Sequence, residues 1–65
     1  MRTLTIADGR GTVRVTGHRA TVRVDGQFVG QVVKVGGRWI GPTGETYDGP
    51  ATAAEDLADT DLQAA

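Results

Sequence analysis

The stretch Thr12-Val13-Arg14-Val15-Thr16-Gly17-His18-Arg19-Ala20-Thr21-Val22-Arg23-Val24-Asp25-Gly26-Gln27-Phe28-Val29 alternates apolar and polar residues on both sides of two-residue turns. A period of two puts successive side chains on opposite faces of a strand. Gly-X and Asp-Gly dipeptides between such runs are strong hairpin signals. A type II′ turn at Gly17-His18 sets Thr16 opposite Arg19, Val15 opposite Ala20 and Val13 opposite Val22. The apolar residues then share one face, and Arg14, Thr16, Arg19, Thr21 and Arg23 share the other. A type I′ turn at Asp25-Gly26 sets Arg23 opposite Phe28 and Val22 opposite Val29, with the strand running to about Val35. A slip of one residue after Asp25 would exchange the faces, so the reading of the second half rests on this register.

Upstream, Leu4 and Ile6 alternate with Thr3, Thr5 and Ala7, which predicts a strand over residues 2–7, ended by Asp8-Gly9-Arg10-Gly11. Downstream, Gly36-Gly37 turns the chain into Arg38-Trp39-Ile40, setting Lys34 opposite Trp39 and Val33 opposite Ile40. Gly41-Pro42-Thr43-Gly44 reverses it into Glu45-Thr46-Tyr47, and Asp48-Gly49-Pro50 ends the sheet. Thr52 stands three residues before Glu55, a capping-box spacing that predicts a helix over residues 53–58, with Leu62 either extending it by one turn or lying in a frayed end and the last residues, 60–65, disordered. The expected fold is mainly β: a small antiparallel meander or half-open barrel of five to six short strands with a short C-terminal helix. Residues 1–50 form the β domain, and 51–65 a short acidic helix and tail.

At 65 residues the chain is near the size where one core barely offsets the entropy of ordering it. It has no cysteine, so neither disulfides nor cysteine-held zinc can staple it. No run of residues reaches the roughly 18 apolar positions of a membrane span, and the first residues lack the apolar core of a signal peptide; the expectation is a cytoplasmic protein that avoids membranes. Residues 1–50 carry all seven Lys and Arg against four carboxylates, a balance of +3, whereas residues 51–65 carry four carboxylates and no base. A basic body can meet a polyanion, and an acidic tail can compete with that polyanion for the body.

Catalytic chemistry has little to stand on. Serine and cysteine are absent, and the one histidine, His18, sits in a hairpin turn with no acid nearby in sequence. Asp8, Asp25 and Asp48 each precede a glycine, a turn position that favours aspartate. Glu55, Asp56, Asp59 and Asp61 lack the loop glycine and alternating oxygens of a calcium site. The glycine-rich stretches join strands, whereas a phosphate cradle opens a helix. The expectation is therefore a non-enzymatic protein with no cofactor and no metal.

The constellation that remains is Arg14, Arg19 and Arg23 with Phe28, Lys34 and Trp39, which share a face if both later turns contain two residues, and Arg38, next to Trp39, is a further expected phosphate contact. On one sheet face, cations track phosphates and rings stack on bases, which makes these residues the expected nucleic-acid contacts, Trp39 as the stacking ring. The competing reading puts Trp39 and Phe28 in a small core with Val32 under Leu57, because aromatic burial dominates so small a protein.

The run from Val24 to Val32, then Gly37-Arg38-Trp39, Gly44 and Ala54 to Leu57, resembles a recurrent pattern in small uncharacterised actinobacterial and actinophage proteins. The β-β-β-α order is also similar to AP2-like and arm-type DNA-binding domains of mobile elements, whose sheet lies in the major groove with the helix behind it. In the helix, this chain has Glu55, Asp56 and Asp59 where those domains carry Lys and Arg. The resemblance implies a nucleic-acid-binding accessory protein of a phage or mobile element. The alternative is a protein-interaction module, a modulator of a host protein or a structural subunit, pairing through the strand edge at residues 2–7. The sequence leaves the oligomeric state open.

Overall fold

A computed structural model describes residues 2–64 as a six-stranded antiparallel sheet in simple meander order, curled into a half-barrel, with one helix on its inner face. The strands are β1 (Arg2–Ile6), β2 (Gly11–Thr16), β3 (Arg19–Val24), β4 (Gln27–Val35), β5 (Arg38–Ile40) and β6 (Thr46–Tyr47); the helix α1 spans Pro50–Ala64. The β2–β3 pairing is the one the alternation predicts, with Thr16 opposite Arg19, Val15 opposite Ala20 and Val13 opposite Val22. Asp25 and Gly26 have φ of 53° and 81°, as a type I′ turn requires. At the β4–β5 turn Gly36 and Gly37 do the same at 59° and 82°, and Lys34 and Trp39 face one another.

One pairing departs from expectation. Arg23 lies opposite Phe28, but Val22 lies opposite Gly30 rather than Val29. Val29 is the extra residue of a β-bulge, so the inward and outward phases of β4 exchange there. Beyond the bulge Val32 points to the core, while Gln31, Val33 and Val35 point outward. Gly30 suits the inward position: a Cβ there would already touch Leu57 Cδ1 and Pro42 Cγ, each at 3.6 Å.

The core is the inner face of the sheet, Ile6, Val13, Ala20, Val22, Val24, Val32 and Trp39, closed by Ala53, Ala54 and Ala58 of α1. Helix and strands meet closely because three of the helix's contacts are methyl groups, and Leu57 and Leu62 fill the flanks. The helix is longer than expected at both ends. Pro50 fits a first turn, where no N–H is needed, and the first bond runs from Ala53 N to Gly49 O at 3.2 Å. Thr52 therefore lies inside the helix and does not cap it. Residues 60–64, expected to be disordered, continue the helix because Leu62 packs on the core and Gln63 Nε2 donates to Asp59 Oδ2 at 3.1 Å; Ala65 lies outside the described residues. No helix among the described residues is long and apolar enough to cross a membrane.

Candidate functional site

The outer face of the sheet has no second layer, and antiparallel register arranges it in cross-strand rows. Thr5, Thr12, Arg23 and Phe28 form the first row, and Thr3, Arg14, Thr21 and Gln31 the second. Thr16, Arg19, Val33, Ile40 and Thr46 form the third, and Val35 and Arg38 the fourth. Each row carries one arginine. Every carboxylate of the chain lies in a turn, in a loop or on α1, so the face has cations and no anions.

Two open depressions cross this face. One, of about 600 Å³, is lined by Arg14, Thr16, His18, Arg19, Thr21, Gln31, Val33 and Lys34. The other, of about 360 Å³, is lined by Thr3, Thr12, Arg14, Thr21 and Arg23. Arg14 and Thr21 belong to both, so the two form one trough along β2 and β3. Among the described residues, no group of three or more His, Cys, Asp or Glu could hold a metal ion.

The sequence-derived site is thus divided. Arg14, Arg19 and Arg23 share the outer face, as expected, and Arg38, whose neighbour Trp39 was expected there instead, joins them because the phase of β4 is exchanged. Lys34 belongs to the inward phase of β4 and is exposed where the strand passes the end of the core, at the rim of the trough. Trp39 is a correction: it is 6% exposed, in the core on the opposite face, and a ring held there cannot stack on a base. Burying so large a ring removes about 150–250 Å² from water, about 4–6 kcal/mol at 25 cal/mol/Å². A base stack contributes only about 1–3 kcal/mol, so burial wins. Phe28 is the second correction. It is 59% exposed and outside the core in which the competing reading placed it. Gln31, Val33 and Val35 were not anticipated on this face; the signal for them was Gly30, a glycine inside a strand and hence a mark of a bulge.

Two polar clusters frame the sheet. Arg10 Nη2 donates to Asp25 Oδ2 at 2.8 Å and its Nε to Oδ1 at 3.4 Å, while Asp25 N donates to Arg10 O at 2.8 Å. The Arg10 guanidinium holds the Asp25 carboxyl below its ordinary pKa, chiefly through this hydrogen bond, and occupies Arg10 away from the trough. At the other edge the Tyr47 hydroxyl lies 2.5 Å from Asp56 Oδ2 and 3.0 Å from Glu45 Oε2, tying β6 to α1. The bond to Asp56, then burial, then the bond to Glu45 push the Tyr47 phenol well above its ordinary pKa.

The acidic residues of α1 cannot fold back over the basic face of their own chain, because the helix packs on the opposite side of the sheet. Comparison with family models, curated proteins and solved structures returns no match to the chain.

Proposed function

We propose that the protein is a non-enzymatic nucleic-acid-binding module, of the kind a phage or mobile element carries as an accessory protein, and that the outer sheet face is its binding surface. The observation that carries this reading is the segregation of charge: one arginine in every row of an open, carboxylate-free face, with the helix and its acids on the reverse. Arg14, Arg19, Arg23 and Arg38 neutralise phosphates, and Lys34 adds a fifth charge at the rim. Phe28 takes the aromatic role that Trp39 cannot.

Each phosphate neutralised releases condensed counterions, so affinity falls with salt in proportion to the number of contacts. Four contacts give a slope of log K against log salt of roughly −3 on a single strand and roughly −4 on duplex DNA. Titrating labelled nucleic acid at several salt concentrations measures it, and replacing one arginine by alanine lowers the slope by about one. Affinity indifferent to salt sinks the reading.

A second reading has its own observation. β1 pairs only with β2, leaving its other edge open over five residues without a proline, the geometry that accepts an added strand. That reading requires a stable dimer or hetero-complex in sedimentation; a monomer that binds nucleic acid counts against it.

A further inference from the structure

The outer face has a finer order than its charge. In the first three rows the arginine stands on β2 or β3 and a different group shares its row on β4: Arg23 lies directly opposite Phe28 and Arg19 directly opposite Val33, while Arg14 stands one strand further off, with Thr21 between it and Gln31. Val35 continues the β4 column in the fourth row, flanked by Arg38. A staggered band of cations, Arg14, Arg19 and Arg23 on β2 and β3, therefore runs beside a β4 column of one ring, one amide and two apolar groups, with Arg38 on the far side of that column. Phe28 and Val35 are 59% and 58% exposed, with no layer over them.

We infer that this face binds one extended, unpaired strand of RNA, its phosphates along the arginines of β2 and β3 and its bases over Phe28, Gln31, Val33 and Val35. The inference rests on the nucleic-acid reading above and names the form recognised. Two features select an unpaired strand. From Arg14 on β2 to Arg38 on β5 the face spans three strand spacings, about 14 Å, wider than the roughly 12 Å major groove. In a duplex the flat faces of the bases are stacked inside, so an exposed phenylalanine would meet none of them; in an unpaired strand they are free to stack on it. RNA is selected by the hydroxyls of Thr12, Thr21 and Thr16, one beside each of Arg23, Arg14 and Arg19, since a hydroxyl can both donate to and accept from a ribose 2′-OH.

The test is fluorescence anisotropy at fixed moderate salt with a uridine RNA dodecamer, a thymidine DNA dodecamer and a twelve-base-pair RNA duplex. The expected result is tightest binding to the RNA dodecamer, at least tenfold over the duplex and severalfold over the DNA. F28A weakens the RNA dodecamer roughly tenfold or more and leaves the duplex unchanged, and F28Y restores binding. Because Phe28 lies outside the core, F28A retains the wild-type circular dichroism and melting curve. Duplex bound as tightly as the single strand, DNA bound as tightly as RNA, or F28A without effect overturns the inference while leaving the nucleic-acid reading standing. Failure to bind any of the three removes that reading itself.

Discussion

Tyr47 carries more of the structure than its place in a two-residue strand indicates. Its hydroxyl joins Glu45 and Asp56 of α1 to β6, and its phenol pKa is raised by those contacts together with burial. A group whose pKa is raised by folding contributes stability that is whole below its unfolded pKa, about 10 for tyrosine, and is lost as pH rises beyond it. Tyr47→Phe is therefore expected to lower stability by about 1 kcal/mol at neutral pH. The gap between variant and wild type closes as pH is raised through 10 to 11, as urea unfolding at a series of pH values reads out. A gap that stays constant with pH assigns the loss to packing alone. Asp25 works in the opposite sense: its pKa is lowered by Arg10, so its contribution is present above the ordinary carboxylate range and lost as pH falls. Neither bond was visible in the sequence, because Arg10 and Asp25 are fifteen residues apart and meet only when two hairpin ends are brought together.

At the scale of elements, strands and turns were legible, whereas the bulge was marked only by Gly30, which does not by itself fix the phase of the strand. The two-residue turns fix strand order and the β2–β3 register through local backbone geometry alone, and these survive in the fold unchanged. The phase of β4 is decided elsewhere. Its alternation fits either face, and what selects one is the chance to bury Trp39 beneath α1 and to set Gly30 under Leu57, contacts that reach across the chain. The helix ends were missed for a similar reason: residues 60–64 have little helical tendency alone, and Leu62 holds them by docking. The bulge makes an unusual prediction. Since Val29 has no partner across the ladder, deleting it is expected to leave every pairing of β3 with β4 in place and Trp39 buried, read out as the blue-shifted, quench-resistant emission expected of a buried indole in both variant and wild type. The cost is the half-buried Val29 side chain, about 1–2 kcal/mol. Deleting Gln31, which is paired with Thr21, exchanges the faces beyond it and is expected to unfold the protein.

The whole molecule is a curled sheet with a cationic outer face and, on the helix side, an anionic back. Glu55, Asp59 and Asp61 are exposed on α1, and no Lys or Arg stands between Pro50 and Ala64. A polyanion approaching from that side is repelled, so encounters are directed to the open face, an effect on association rate that fades once salt shortens the screening length to about 10 Å or less. Replacing Glu55 by Gln and Asp59 and Asp61 by Asn, with Asp56 left to hold Tyr47, moves the net charge from −1 to +2. The expected outcome is faster association with RNA at low salt, an unchanged dissociation rate, and convergence with wild type near 0.5 M salt. Stopped-flow binding at several ionic strengths separates the two rates. A slower dissociation instead would mean that the helix contacts the strand, and the nucleic acid would then have to reach around the edge of the sheet rather than lie on its outer face.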